Sequence, residues 1–468
     1  MSKKSLLLCT AAATILLFGT HYNLHAENLD ADKKGEVKTA TPGATYGYLQ
    51  AVNGSKIIGK NLTIVGGHPV NDDLMAVNAK TGSSIELWDT TIKSDNDTEM
   101  DSGLQIWHGS IIKMNGGSIA AEAIAIIDTD DSGESILENV KISGSKENKP
   151  ARWGIDIRHG TVNLKNVTVS KAELYAVEAS SKTKVIISKG SFGGIIHANQ
   201  GSTITLNDNV TVTSEKNGLH ADGDKAQIIM TGGTVKGQKS ALLSEKGGHI
   251  TVTDITLTAD GKGTGAKSIG PNSMIDLHDN VTIKEAVIGL EAKDNGVIQM
   301  TGGSITVSQT GASFENNNND KNKLENVVIK SSSDDKPITT GVSADKKSTI
   351  ALKNITVTNA KKALFAHDNS QITVTGGGSF GGEVQAKQGS TITLNDNVKV
   401  TSEDDGLHAE GDQSKITMTG GTVTGSNSVL YTKAGGYIHV KDVAMTANGN
   451  GTKFGAFARG PSTIELNG

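Results

Sequence analysis

Six prolines, three tryptophans, three arginines and a single cysteine are all that 468 residues contain of these types. Each scarcity excludes something. The lone cysteine, Cys9, allows no disulfide framework, so an exported form must draw its stability from packing and backbone ladders. Aromatics make up 3% of the chain, too little ring volume for a compact globular core of this length. Arginine occurs only as Arg152, Arg158 and Arg459, lysines are dispersed, and the formal net charge is −5. That balance gives no electrostatic footprint for nucleic acid. No segment after the extreme N-terminus is long and apolar enough for a membrane-spanning helix.

What the chain has instead is 56 glycines among abundant Thr, Val, Ile, Asn and Ser. β-Branched residues suit pleated surfaces, while Gly and Asn suit turns that need a left-handed backbone. The first 26 residues read as an export signal: Lys3 and Lys4, then an apolar run from Leu6 to Phe18, then a polar stretch ending Leu24-His25-Ala26. The run is too short to span a bilayer and fits a secretory leader cleaved after Ala26. Residues 27–50 are polar, contain Pro42-Gly43, and are expected to form an N-terminal cap or lead-in. The remainder, 51–468, is expected to be one repetitive domain.

The repetition has two levels. Residues 191–234 and 379–422 are near-copies at an offset of 188, within a duplication running over about 103–280 and 290–468. Inside each copy a shorter unit recurs: aliphatic, spacer, aliphatic, spacer, then Asn, Asp or Gly. The second aliphatic falls at Leu87, Met114, Leu137, Leu164, Ile186, Leu206, Met230, Val252, Leu277 and Met300, and continues at Leu324, Leu352, Val374, Leu394, Met418, Val440 and Leu466. The step is roughly 24 residues, in the range of solenoid repeats. Two residues after each anchor stands Asn, Asp or Gly, with Ser188 the one departure. Those types tolerate a left-handed backbone. Each unit therefore holds a strand, a tight bend and another strand, with alternate residues facing inward. No helical spacing competes. The fold expected is all-β: a right-handed parallel β-helix of about 17 or more coils, some 80 Å long at ~4.8 Å per coil. The chain stops at Leu466-Asn467-Gly468, within a unit, and the natural product is expected to continue.

A secretory leader, a long cysteine-free β-helix and an unfinished last unit together resemble the passenger domain of Gram-negative autotransporters, with a pertactin-like β-helix. The leader KSLLLCTAAATILLFG and the repeated MTGGT and MTGGS units look like Bartonella autotransporters. The resemblance implies export through the periplasm to the cell surface or medium, and an outer-membrane barrel C-terminal to the passenger, which this sequence lacks. One branch of that family releases passengers that act on host endothelial cells as growth-promoting, angiogenic ligands. For this chain it implies a host-cell-binding ligand or adhesin whose partner is a host surface protein of the growth-factor-receptor class.

Parallel β-helices also carry polysaccharide-cleaving enzymes, so the residues must be read for chemistry. No paired-carboxylate series of that kind is recognisable, His159-Gly160 stands alone, and three tryptophans make a thin sugar platform. Asp101-Ser102-Gly103 and Asp131-Ser132-Gly133 read as turns rather than as parts of a nucleophile motif. His220, Asp222 and Asp224 alternate along one strand, repeated as His408, Glu410 and Asp412. Alternate residues on one strand lie ~7 Å apart, too far for easy convergence on a metal. No catalytic, cofactor or metal set is therefore read. The alternatives to a ligand are a carbohydrate-active enzyme and a passive structural spacer.

Function on a solenoid belongs on loops or on outward residues that break the ladder. The long interval from Leu137 to Leu164 is expected to leave the helix as a loop over about 143–160. It contains Lys146, Lys149, Arg152, Trp153 and Arg158, and Arg and Trp are favoured anchors in protein interfaces. Trp88 should also point outward, against the N-terminal segment or a partner. The run from Asn316 to Asp320 reads as a solvated loop tip.

Overall fold

The computed structural model describes residues 26–468, except 67, 71–72, 95–99, 129–132, 146–149 and 449–453. The expected leader thus lies outside the described residues apart from Ala26. All regular structure among the described residues is β-strand, hydrogen-bonded into one continuous ladder. It forms a parallel β-solenoid of about 18 turns of roughly 23 residues. One excursion is antiparallel, His68–Val70 against Asp73–Ala79.

Each turn contributes up to three strands, so the helix has three faces. On the first face Ile195–Asn199, Asn217–Asp222 and Ser240–Glu245 stack on one another. On the second, Thr203–Asn207, Gln227–Thr231 and His249–Thr253 do so. The third holds Thr211–Ser214, Thr234–Gly237 and Thr256–Thr258. The segment 27–50 is itself a first coil rather than a separate cap: Asn28–Ala31 pairs with Tyr48–Ala51, and Val37–Thr39 pairs with Lys56–Lys60.

The aliphatic anchors form one column. Leu206 sits over Met230, Met230 over Val252 and Val252 over Leu277, each 0–1% exposed. One anchor is corrected. Leu164 and Leu206 both pair with Ile187, not Ile186; Ile187 is buried, while Ile186 faces outward and is half-exposed. A one-residue slip exchanges the faces of a strand, and the mis-set anchor also explains the anomalous Ser188. Two residues past Ile187 stands Lys189, which has φ of 61°. The other sixteen corner residues all have positive φ, from Asp89 at 48° to Gly116 at 79° and Gly468 at 134°. Asn and Asp at these corners also bond between coils, as from Asn166 Nδ2 to Asn139 Oδ1 at 2.8 Å and from Asn354 Nδ2 to Asn326 Oδ1 at 2.8 Å.

A second internal ladder, of serines, was not expected. Backbone N–H groups donate to the buried hydroxyl of the next coil: Ser83 to Ser110 Oγ at 3.1 Å, Ser348 to Ser370 Oγ at 3.0 Å and Ser370 to Ser390 Oγ at 3.0 Å. These bonds satisfy polar groups that the turn between first and second faces would otherwise leave orphaned. Asn317 and Asn322 take over that role; Asn317 is the one inward residue of the 316–320 run, whose Asn316, Asn318 and Asp320 are exposed. Asn317 and Asn322 are both fully buried; Asn317 N–H donates to Ser348 Oγ at 3.0 Å, and Asn322 Oδ1 accepts from Ile298 N–H at 2.9 Å. Where the third face turns into the first, coils approach closely. A Cβ on Gly289 would lie 2.4 Å from the carbonyl oxygen of Gly311, so Gly289 itself cannot be enlarged, although Ala241, Ala363 and Val429 take the same column on other coils.

Candidate functional site

On the first face the inward residues are aliphatic or small, such as Val177, Ile196, Leu219 and Leu242. Between them runs an outward column that pairs residue to residue along the rod. Over the middle of the chain it reads Asp156, Glu178, His197, His220, Leu243, Lys267 and Glu291, then Ser313, Ser343, Phe365, Gln385, His408, Tyr431 and Phe457. Although these side chains point away from the aliphatic core, many are buried by their ladder neighbours: His197 is 4% exposed, Gln385 3% and His408 7%. Buried polar side chains must find partners, so their pairing shows what each stretch of the face can do.

Four stretches differ. Near the N-terminal end, Asn78 donates to the hydroxyl of Tyr48 at 3.0 Å, which donates to Gln50 at 2.9 Å; burial pushes the Tyr48 phenol up to about 12. Next comes the region singled out from sequence. Ala151–His159 is a strand, so Arg152, Trp153 and Arg158 lie on the first face and not on an extruded loop. The strand forms because Ala151, Ile155 and Ile157 continue the buried alternation. The Arg152 guanidinium lies 4.4 Å from the centroid of the Trp153 ring. Arg158 pairs with Asp156 at 2.9 Å and reaches over Trp107, 5.9 Å away. Both guanidinium groups are exposed. Trp107, from two coils earlier, was not foreseen as a member. Trp88 is outward, 38% exposed, but it belongs to the second face, paired with Lys60 and Asn115, and does not join this group. Lys146 and Lys149 lie outside the described residues. A cleft of about 680 Å³ opens at Pro150, the residue before the Ala151–His159 strand, and is lined also by Lys171, Glu173, Phe192, Glu215 and Lys216 among others. Lys171 and Glu215 pair across it at 3.0 Å.

The third stretch is a stack of rings. Tyr175 lies on His197 with centroids 4.7 Å apart, and His197 on His220 at 4.8 Å. Neither ring nitrogen of His197 has a hydrogen bond; the Glu178 carboxylate stands 3.4 Å from Nδ1 without forming one. Nε2 of His220 is 3.1 Å from Glu245. Burial first, and then the neighbouring His197, hold the His220 imidazole below its ordinary pKa against the pull of Glu245 and Asp222. Burial also raises the Tyr175 phenol. Farther along, lysines and glutamates alternate: Glu291 pairs with Lys267 and Lys293, both at 2.9 Å, and Lys293 reaches Glu315 at 3.1 Å. Burial would raise the Glu291 carboxyl, but the two lysines outweigh it and the net shift is downward.

The fourth stretch is an acidic cluster around His408. Glu383 accepts from His408 Nδ1 at 2.6 Å and from Gln385 Nε2 at 3.2 Å. Asp405 lies 3.9 Å from the same nitrogen and accepts from Asn427 at 3.0 Å. Burial raises the Asp405 carboxyl. His408 then packs against Tyr431, and Tyr431 stacks on Phe457 at 5.7 Å.

The sequence pairing of His220 with Asp224, and of His408 with Asp412, is not what the fold assembles. Asp224 and Asp412 fall in turns after their strands. Histidines meet residues of neighbouring coils instead, giving two clusters whose ligand-type atoms lie within 4.8 Å of one another: His197, His220 and Asp222, and Glu383, Asp405 and His408. Ser102 opens a strand, not a turn, and Asp131 and Ser132 lie outside the described residues. No helix among the described residues is long and apolar enough to cross a membrane. Comparison with protein-family models, curated proteins and solved structures finds no match to this chain.

Proposed function

We propose that this chain is the passenger of an exported autotransporter-type protein, and that it binds a host-cell surface protein through its first face. The observation that carries the reading is the arginine and tryptophan group on that face: Arg152 on Trp153, and Arg158 across Trp107. Arginine and tryptophan are the side chains that most often anchor interfaces. Here two coils hold them in fixed register, beside a cleft able to receive a partner's side chain. The leader-like N-terminus and the resemblance to growth-promoting passengers support a released or surface-held ligand, with a host growth-factor receptor as the partner class. The test is binding of residues 27–468 to host endothelial cells. Saturable binding should weaken at least about tenfold in the triple variant Arg152→Ala, Trp153→Ala, Arg158→Ala. Undiminished binding rejects this patch, and no saturable binding at all favours a passive spacer.

A second reading has one observation behind it. Glu383 and Asp405 bring two carboxylates close together on an outward face, the kind of pair that cleaves glycosidic bonds. Both are only 5–6% exposed, and Glu383 is already engaged by His408 and Gln385, which places this reading second. Release of reducing ends from a polysaccharide, lost on Glu383→Gln, would bring it forward.

A further inference from the structure

We propose that His197, His220 and Asp222 form a binding site for a divalent transition-metal ion of the zinc type. The three residues come from two adjacent coils. His197 and His220 share a register position, so their Cα atoms are separated by one strand spacing, ~4.8 Å, rather than by the ~7 Å between alternate residues of a single strand. Asp222 follows His220 by two on the same strand and points to the same side. One ring nitrogen of each histidine and one carboxylate oxygen of Asp222 lie within 4.8 Å of one another. A four-coordinate ion with bonds of ~2.0–2.1 Å would draw such atoms together by rotamer adjustment.

The independent observation is His197. Its side chain is 96% buried, being 4% exposed, and both ring nitrogens lack a hydrogen bond. A buried polar group without a hydrogen bond is costly, and the face of the ring is already occupied by Tyr175 on one side and His220 on the other. At the edge the nearest charged atom is a Glu178 carboxylate oxygen, 3.4 Å from Nδ1. A metal ion in the ring plane would satisfy the imidazole.

The donor set selects the ion. Two imidazoles and a carboxylate suit zinc, nickel, copper or cobalt, whereas calcium and magnesium take oxygen donors. Glu245, 3.1 Å from His220 Nε2, supplies the carboxylate by which a ligating imidazole is ordinarily oriented. Lys246 Nζ donates to Asp222 Oδ2 at 3.0 Å and so fixes the orientation of that carboxylate. Three protein donors leave a coordination position open for water or for a donor from another molecule. His220 and Asp222 are partly exposed, at 12% and 19%, so that position faces outward. The second copy lacks the set, because Gln385 stands where His197 would be.

The experiment is metal analysis of the purified mature chain, residues 27–468, after incubation with Zn²⁺ and gel filtration in metal-free buffer. With ten of the sequence's 12 histidines in residues 27–468, weak binding elsewhere is expected, and only ions that survive filtration count. One zinc per chain is expected. His197→Gln and His220→Gln should each weaken it by at least about 100-fold, while His408→Gln leaves it unchanged. Co²⁺ should give the intense visible bands of four-coordinate cobalt in the wild-type chain and not in His220→Gln. Asp222→Asn, a conservative change at a strand end, should lower affinity about tenfold or more; it decides the matter if His197→Gln fails to fold. Zinc absent from the wild-type chain, or zinc retained in Asp222→Asn and in whichever histidine variants fold, overturns the proposal.

Discussion

His220 and His408 stand at equivalent places 188 residues apart, yet they have different company. In the first copy His220 lies under a second imidazole, His197, with Ile195, Asn217 and Leu243 around the pair. In the second copy the corresponding residues are Gln385, Glu383, Asp405 and Tyr431, and His408 is enclosed by two buried carboxylates and an amide. The inward residues tell the opposite story. Ile196, Leu219, Leu206 and Met230 are matched by Val384, Leu407, Leu394 and Met418, all buried. Packing against the coils above and below fixes size and polarity inside. An outward position needs only a partner on the next coil, so a duplicated segment can change its surface chemistry without losing its fold.

If that is right, the interior of the two copies should respond alike. Leu206→Ala and Leu394→Ala remove fully buried side chains of the same column, and each should cost about 3 kcal/mol in urea unfolding. Costs differing by more than about 1.5 kcal/mol would break the equivalence of the two scaffolds.

The outward faces should respond differently. Burial raises the Asp405 carboxyl above its ordinary 3.8. Between that value and the folded-state pKa the folded chain holds the proton more firmly than the unfolded one, so stability from this group falls as pH rises through the window. Above that window the ionised carboxylate is held at a net cost: burial first, with Asp404 and Glu383 adding repulsion, against the Ser428 hydrogen bond and His408. Asp405→Asn, which installs the first copy's Asn217, should therefore stabilise by about 1 kcal/mol at pH 7 and by almost nothing below pH ~3.8. Destabilisation at pH 7 would show that the ionised carboxylate is needed. A smaller effect is expected from Gln385→His, which restores the imidazole pair above His408. It should add a second, weaker zinc to the chain. Weaker, because Glu410, the counterpart of Asp222, is held by two lysines, Lys387 at 2.6 Å and Lys433 at 3.1 Å.

The scaffold was legible in the sequence because its requirements recur at one interval: an aliphatic residue inward, and a left-handed corner two residues on. The one misplaced anchor, Ile186 for Ile187, arose where two isoleucines adjoin and Lys189, an unusual residue at positive φ, takes the corner. The serine ladder was also present in the sequence, as Ser or Thr shortly before the strand in units such as GSTITL, but its meaning depends on a hydrogen bond between coils. The outward column was harder to read. Its members change chemistry at each coil, and the spacing varies, from 19 residues between Glu178 and His197 to 30 between Ser313 and Ser343. Pairing His220 with Asp224 followed distance along the strand, when the neighbour that mattered was one turn away. Likewise Arg152, Trp153 and Arg158 were recognised as a group, while Trp107, brought in from an earlier coil, was not.

That column is the claim on which the rest stands, and a chain whose single cysteine is Cys9 allows it to be measured directly on residues 27–468. Ser313 and Ser343 face each other across adjacent coils within the second copy, within the Cα separation a disulfide spans. The double variant Ser313→Cys, Ser343→Cys should oxidise to an intramolecular disulfide, seen as faster migration on non-reducing gels, while Ser313→Cys with Ala344→Cys, one residue out of register and facing inward, should not. Cross-linking of the second pair with none of the first would contradict the register of the outward face, and with it the assembly of every site described along the rod.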